Sequence, residues 1–207
     1  MTAIDDSRIE HFVAQCRRAA RDYRLMKCSS GNASWRIDNG LMLVSASKSW
    51  LSDLTADQVT VCRVADGAPV QGPKPTIEIA FHAGILRARP DINVVIHFQT
   101  PFATVLTCRK EPVDYCVLPE APYYLGPVAT IPFLLPGSKE LADAVIAAMT
   151  GHNVGILQNH GQITVGKDFN ETIQRAVFFE MVCETIVRGG ETIQPIPRAM
   201  IEKLGNA

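Results

Sequence analysis

The sequence predicts an α/β fold in which helices cover a mixed or largely antiparallel sheet. Helical and strand-like hydrophobic patterns alternate along the whole chain, which is typical of the α/β classes. Several pairs of short strands are joined by tight turns, and such turns connect antiparallel neighbours. The chain has 207 residues, of which 47% are hydrophobic and 20% are charged. Because this length and composition suit one sizeable core, we expect residues 1–207 to form a single domain.

Local signals assign the individual elements in chain order. Apolar residues at helical spacing predict a first helix over residues 7–25, with Ser7 as its N-cap and Glu10 completing a capping box. Strands at 33–37 and 41–45 should form a hairpin, because Asp38-Asn39-Gly40 between them is a strong turn signal. The other predicted strands lie at 60–64, 93–97, 128–131, 155–158 and 162–165, and the other predicted helices lie at 77–88, 102–108, 138–149 and 170–188.

Composition and charge argue against several classes of partner. The formal net charge is -1 and no basic stripe occurs, so nucleic acid is not an expected partner, although a local site can still bind an anion. No apolar run approaches the roughly 20 residues needed to span a bilayer, and residues 1–12 lack the pattern of a secretory signal. The six cysteines form no C-x-x-C pair, so we expect free thiols and a cytoplasmic location.

Three polar residues could bind a divalent metal ion. His97 and Gln99 lie two positions apart at the end of a predicted strand, so their side chains should point to the same face. A buried histidine bonded to a backbone carbonyl would explain His97 alone equally well. His160, in Asn159-His160-Gly161 between two apolar stretches, adds a second imidazole at another strand end. Two imidazoles and an amide oxygen would leave an open position, as catalytic metal sites do.

Two further segments have both a functional and a purely structural interpretation. Glu78 falls in the first turn of the predicted helix 77–88, where a carboxylate gains from the helix dipole; it could instead act as a general base or a fourth metal ligand. The segment Ser29-Ser30-Gly31-Asn32 could form a nest of N–H groups around a phosphate, or it could be an ordinary turn.

Taken together, these segments resemble the class II aldolase/adducin family, which includes fuculose phosphate aldolase and ribulose phosphate 4-epimerase. The resemblance extends from the first helix to about residue 188, and the order and spacing of its motifs make it specific. The matching stretches are S-S-G-N-A-S (29–34), L-V-S-A-S (43–47), K-P-T-I-E (74–78), R-P-D-I-N-V-V-I-H-F-Q-T-P-F-A (89–103), P-G-S-K-E-L (136–141) and L-Q-N-H-G-Q-I-T-V-G-K-D (157–168).

The resemblance implies a three-layer α/β/α fold around a nine-stranded, mainly antiparallel sheet, and a homotetramer with active sites between subunits. It implies a divalent metal ion, most often zinc, held by three residues that correspond to His97, Gln99 and His160, with Glu78 as the acidic catalytic residue. The positions that correspond to the family's phosphate-binding segments are Ser30, Gly31, Asn32, Ser47 and Thr76.

The chain departs from the family pattern at three positions. Gln99 replaces a histidine, and its harder amide oxygen could weaken zinc binding or favour manganese, cobalt or magnesium. Ile77 replaces a serine, so one phosphate contact is missing. Lys48 replaces a glycine; it could restore charge to the substrate-binding pocket, or it could select a carboxylate instead of a phosphate.

The leading hypothesis is a metal-dependent lyase that cleaves a small ketose phosphate, or a related anionic carbonyl compound, through a metal-stabilised enediolate. Glu78 would move the proton at carbon. Epimerisation, dehydration and decarboxylation use the same logic and remain alternatives, and a non-catalytic interaction module like the adducin head is an alternative of another class. A tyrosine from a neighbouring subunit could assist the reaction, and the candidates are Tyr115, Tyr123 and Tyr124. Glu120 could be an additional acid or base.

Overall fold

A computed structural model of the protein describes residues 5–38 and 40–205. Asn39, the middle residue of the predicted hairpin turn, lies outside the described residues. The strands are β1 (Asn32–Arg36), β2 (Leu41–Ser45), β3 (Val59–Arg63), β4 (Pro69–Gln71), β5 (Val94–Phe98), β6 (Val128–Ile131), β7 (Val154–Leu157) and β8 (Gly161–Gly166). The helices are α1 (Asp6–Arg17), α2 (Ile79–Ala88), α3 (Pro101–Thr107), α4 (Lys139–Met149), α5 (Phe169–Gly189) and α6 (Arg198–Gly205).

The strands form one mixed sheet in the order β4-β3-β2-β1-β5-β8-β7-β6. Every neighbouring pair is antiparallel except β6 and β7, which are parallel, so the expected mainly antiparallel sheet is confirmed. The described residues contain eight strands in this sheet, whereas the resemblance implied nine. Pro75 forms only an isolated bridge to Ala46, which does not amount to a further strand.

Helices cover both faces of the sheet, which confirms the three-layer α/β/α architecture. Strand β5 shows the arrangement, because alternate side chains of a strand point to opposite faces. Val94, Ile96 and Phe98 pack in one hydrophobic cluster with residues of α1, α3 and α5. Val95 packs in the other cluster with residues of α2 and α4. Both faces of β5 are therefore buried, which gives the site at its end a rigid support.

The N-terminus of the first helix differs from the prediction. Asp5, and not Ser7, is the N-cap, and its carboxylate accepts the backbone N–H of Ser7 at 3.0 Å. Both residue types cap helices well, and here the helix begins early enough for the carboxylate to take this position. The α-helix ends at Arg17 and continues as a π-helical turn over Arg18–Asp22.

Several elements were not predicted from the sequence; they include the short edge strand β4, the C-terminal helix α6, and a π-helical turn over Ala121–Leu125. The π-helical turn lies within the proline-rich segment 112–136, for which only the strand β6 was expected. All six cysteines are free, as expected. Over the described ranges, no helix combines the length and the apolar character that a membrane crossing requires.

Candidate active site

The polar residues singled out in the sequence come together at one end of the sheet. His97 lies near the end of β5, and the antiparallel register places it opposite Asn32 at the start of β1. Gln99 follows directly after β5, and His160 closes the turn between β7 and β8. Glu78 lies at the N-cap position of α2, so it precedes the first helical turn that the sequence had assigned to it. Its carboxylate makes no capping hydrogen bond, which leaves it available to the site.

Glu78, His97 and His160 form a compact group that could hold a metal ion. One ligand atom from each lies within 4.8 Å of the others. The Nε2 atom of His97 is 3.6 Å from Oε2 of Glu78, and the Nε2 atom of His160 is 3.6 Å from Oε1 of the same carboxylate. Residues from three separate segments of the chain, of which His160 lies 63 positions after His97, therefore present two nitrogens and a carboxylate to one point.

The ring of His97 is oriented by the neighbouring strand. Its Nδ1 atom lies 2.9 Å from the backbone carbonyl oxygen of Gln162 and can only donate to it. The proton of the neutral ring is thereby assigned to Nδ1, and the lone pair of Nε2 faces Glu78. A histidine held in this way has the tautomer that metal ligation through Nε2 requires. The carbonyl-bonded histidine that the sequence left as an alternative is thus compatible with ligation.

Glu78 has one fixed and one free carboxylate oxygen. Oε2 accepts a hydrogen bond from Nδ2 of Asn32 at 2.9 Å, whereas Oε1 is buried and has no hydrogen-bond partner among the described residues. Burial raises the pKa of this carboxyl, but the electrostatic effect of the neighbouring His97 ring and the Asn32 hydrogen bond outweigh burial, and the net pKa lies below the usual value. The group is therefore ionised near neutral pH, with Oε1 available to bind a cation or a proton.

His160 is held in a tight turn that brings its ring towards His97. The ring centroids of the two histidines are 4.9 Å apart. Burial, followed by the proximity of His97, lowers the pKa of His160, and the Glu78 carboxylate only partly opposes this effect. Asn159 adopts the left-handed conformation in this turn, with φ 53°.

Gly161 is required for close packing beside the histidines. A Cβ atom at this position would lie 2.9 Å from Cε1 of His97 and 2.8 Å from the backbone oxygen of Phe98. Neither contact is compatible with a side chain, so only glycine lets β8 begin so close to the end of β5.

A cavity of about 210 Å³ surrounds these groups. The structure brings together in its lining the residues that the sequence singled out as metal ligands, as the acid that moves the proton and as substrate-binding positions. These residues are Ser30, Gly31, Asn32, Ser47, Lys48, Thr76, Glu78, His97, Gln99 and His160, and the lining also includes Ser29, Ala46, Ile77 and Pro136.

The polar end of this cavity contains hydroxyls, a glycine turn and one lysine. Ser30 accepts the backbone N–H of Lys27 through Oγ, so its own hydroxyl proton remains free to donate. Gly31 has φ 148°, and a Cβ atom there would lie 2.8 Å from the backbone oxygen of His97, so the turn lies directly against β5. Lys48 is exposed and adopts a left-handed conformation with φ 64°, which is unusual for a residue with a side chain.

The tyrosines and the extra acid do not reach this cavity from within the chain described here. Tyr115 packs on Phe179 with ring centroids 5.3 Å apart and lines a separate cavity. Tyr123 and Tyr124 line another cavity beside α5. Glu120 lies immediately before the π-helical turn.

Sequence reasoning missed His82, which is completely buried next to the site. Its Nε2 atom lies 2.5 Å from Oδ1 of Asn32, and its Nδ1 atom lies 2.8 Å from the hydroxyl of Ser34. Burial lowers the pKa of His82 to about 3, so the ring is neutral. The spacing from Glu78, one helical turn, was the available signal, because residues four apart lie on the same helix face.

This fold and this group of residues define a class of protein, and sequence comparison identifies the same class. The Class II Aldolase and Adducin N-terminal domain family matches residues 10–187. The chain belongs to this family, and the resemblance inferred from its motifs is confirmed.

Individual relatives include enzymes of two kinds. A 5-methylthioribulose-1-phosphate/5-deoxyribulose-1-phosphate aldolase from Rhodospirillum rubrum is 31% identical over 193 residues, which cover 90% of this chain and 84% of that protein. A 3-oxo-tetronate 4-phosphate decarboxylase from Pectobacterium atrosepticum is 29% identical over 144 residues, which cover 68% of this chain and 66% of that protein. The solved structure of YgbL from Escherichia coli has a TM-score of 0.90 and 22% identity, and the match covers 98% of this chain and 100% of that chain. This last similarity shows a common fold.

Proposed function

We propose that the protein is a metal-dependent lyase that cleaves the carbon–carbon bond of a small ketose phosphate or a closely related anionic carbonyl compound. One observation carries this proposal: the ligand atoms of Glu78, His97 and His160 lie within 4.8 Å of one another at the base of a polar cavity. A cation bound between these three groups would explain why two imidazoles lie beside a buried carboxylate.

The donor atoms fit a divalent ion. Nε2 of His97 carries a lone pair that faces the group, and Oε1 of Glu78 is buried without a hydrogen-bond partner. His97 and His160 would hold the ion through Nε2, and Gln99, which lines the same cavity, would supply an amide oxygen. Zinc suits two imidazoles, whereas the amide oxygen also admits manganese, cobalt or magnesium.

Glu78 would move the proton in this reaction. The bound ion would supply a Lewis acid for the negative charge that develops on the substrate oxygens as the bond breaks. Oε2 of Glu78 is occupied by Asn32, so Oε1 is the atom that accepts a substrate proton and returns it to the carbon at which the bond was cleaved.

The far end of the cavity would bind the anionic group of the substrate. The hydroxyls of Ser30 and Ser47 supply donors beside the turn at Gly31, and Lys48 supplies a positive charge at the mouth. Thr76 lines the same cavity, and its hydroxyl oxygen accepts the backbone N–H of Glu78 at 3.3 Å, so its hydroxyl proton would likewise be free to donate. This arrangement suits a phosphate or a carboxylate.

Decarboxylation of a phosphorylated 3-keto acid is the second candidate. It is favoured by the relative named 3-oxo-tetronate 4-phosphate decarboxylase, and it would use the same stabilisation of negative charge next to a carbonyl. A non-catalytic interaction module is the alternative of another class, and the replacement at Gln99 is its main support.

Turnover assays on a panel of ketose phosphates and phosphorylated 3-keto acids test this proposal. The protein would be loaded with zinc, manganese, cobalt or magnesium in separate samples. Release of dihydroxyacetone phosphate supports aldol cleavage, and release of CO₂ supports decarboxylation. The Glu78→Gln variant should lose about 10²- to 10⁴-fold in kcat with either substrate class. No turnover with any metal would leave the interaction module as the better explanation.

We further propose that residues 1–207 act as a single domain in the cytoplasm and assemble as a homotetramer. The unbroken sheet supports one domain, since it joins strands from residue 32 to residue 166. Exposed apolar side chains near the cavity, such as Ile77 at 54% exposure, support an assembled form. Light scattering coupled to size-exclusion chromatography would measure the subunit number.

A further inference from the structure

We propose that His82 is a positioning residue for the reaction, and that it acts through Asn32 to hold Oε2 of Glu78 and to keep Oε1 directed into the cavity. This inference rests on the proposed role of Glu78 as the group that moves the proton. Three consecutive hydrogen bonds carry it: Ser34 to His82 at 2.8 Å, His82 to Asn32 at 2.5 Å, and Asn32 to Glu78 at 2.9 Å.

The direction of donation along these bonds is fixed by the carboxylate. An ionised Glu78 can only accept, so Asn32 must present its NH₂ group to Oε2 and its carbonyl oxygen to His82. His82 must then donate from Nε2, which leaves Nδ1 as the acceptor for the hydroxyl proton of Ser34. Only one tautomer of the ring satisfies every partner, and burial keeps the ring neutral as this requires.

The ring of His82 controls which way the Asn32 amide faces. The amide could rotate by half a turn, and its oxygen would then face the carboxylate and its NH₂ group would face the protonated Nε2 of His82. Both contacts would be repulsive, so His82 disfavours the rotated state. Asn32 is only 7% exposed, so water cannot easily replace the lost partner. Without a donor at His82, nothing in this chain of contacts would select the orientation that holds Oε2.

The backbone ties these side chains to one helix and one strand. Glu78 and His82 lie one turn apart at the start of α2, and the backbone N–H of His82 faces the backbone oxygen of Glu78 at 3.5 Å. Asn32 and Ser34 lie on the same strand, β1, two residues apart, so both point to the face that α2 covers. This geometry explains why a polar, completely buried ring is placed where an apolar residue would fill the core equally well.

Asn32 therefore has a different role from the one that the sequence suggested. Both polar atoms of its side chain are used inside the protein, by Glu78 and by His82. The amide keeps one further N–H, but its first function here is to hold the carboxylate.

Three variants of the metal-loaded enzyme test the inference. His82→Phe keeps the bulk of the ring and removes the donor, whereas His82→Gln keeps an N–H donor. Ile85→Ala is the matched control, because Ile85 is 1% exposed on the same helix and belongs to the apolar cluster, so its truncation lowers stability without removing any of the three hydrogen bonds. We expect His82→Phe to lower kcat by about 10- to 100-fold with KM changed by less than about threefold, because the reacting group is misplaced and substrate binding is not.

Rescue separates positioning from simple packing. His82→Gln should recover most of the kcat lost in His82→Phe, and Ile85→Ala should lower the unfolding temperature while kcat stays within about twofold of the wild type. If the two His82 variants lose the same kcat, or if neither loses any while the wild type is active, the inference is overturned.

Nitrogen-15 NMR of the histidine rings gives a readout that does not depend on turnover or on the folding of His82→Phe. The His82 signals, assigned by comparison with His82→Gln, should show protonation at Nε2 and a hydrogen-bonded lone pair at Nδ1. Protonation at Nδ1 would overturn the inference. If the wild type turned over no substrate, the proposed function would fail, and this spectrum would still decide the direction of the hydrogen bonds.

Discussion

The buried His82 ring makes a specific prediction about acid stability. Its pKa is about 3 in the folded protein, because burial penalises the charged form, whereas an exposed histidine has a pKa of about 6.5. Between these values the unfolded chain binds more protons than the folded chain. The stability that this ring contributes is therefore fully present above about pH 6.5 and is lost as the pH falls towards 3. From pH 7 to pH 5 the loss amounts to about 2 kcal/mol, a large share of a typical unfolding free energy of roughly 5–15 kcal/mol.

Urea unfolding at pH 7, 6 and 5, with a chelator present, measures this effect. The His82→Gln variant cannot take up the proton, so the difference in unfolding free energy between wild type and variant should shrink by about 2 kcal/mol from pH 7 to pH 5. Ile85→Ala removes no titrating group, and its difference from the wild type should stay constant. Parallel curves for wild type and His82→Gln would mean that the folded ring already accepts a proton, and the reasoning about its burial would be refuted.

Three further predictions concern backbone and packing constraints around the site. Lys48→Gly should raise the unfolding free energy by about 1 kcal/mol, because φ 64° suits glycine, and should raise KM for the anionic substrate; urea unfolding and steady-state kinetics would measure the two effects. Gly161→Ala should weaken metal binding by about tenfold or more, because a Cβ atom would lie 2.9 Å from Cε1 of His97. Calorimetric titration measures the affinity, and an unchanged value would contradict a role for this packing. Gly84→Ala should lower the unfolding free energy by about 1–2 kcal/mol, because its Cβ would lie 2.0 Å from Cδ1 of Ile146 on α4. Adding Ile146→Val to the same chain should restore part of the lost unfolding free energy. No recovery in the double variant would count against this contact.

Elements with strong local signals could be predicted from the sequence. Helix α4 lies where the sequence predicted a helix, and the Ser138 hydroxyl caps it by accepting the backbone N–H of Leu141. The buried strand β5 follows from its apolar run. The start of α1 was wrong because two good capping residues, Asp5 and Ser7, lie close together and the local pattern does not choose between them. Strand β4 is only three residues long and exists because β3 pairs with it, so its own sequence carries almost no signal.

The site shows the same division between local and distant information. His97 and Glu78 each had a plausible structural explanation when considered alone, and only their combination with His160 and the family motifs suggested one site. Their proximity depends on the sheet register and on the start of α2, which no local pattern encodes. His82 was missed because its importance depends on Asn32, which lies 50 positions away in the chain.

The account depends most on His97 and His160 binding one cation between them. Calorimetric titration of the chelator-treated protein with zinc, supported by elemental analysis, tests this directly. We expect one ion per chain, and at least about a 100-fold loss of affinity in His97→Ala and in His160→Ala. His152→Ala should bind zinc like the wild type, because that ring is bonded to the backbone oxygen of Ala148 and lies outside the cavity. Wild-type binding well below one ion per chain, or an affinity that His160→Ala leaves unchanged, would contradict the account.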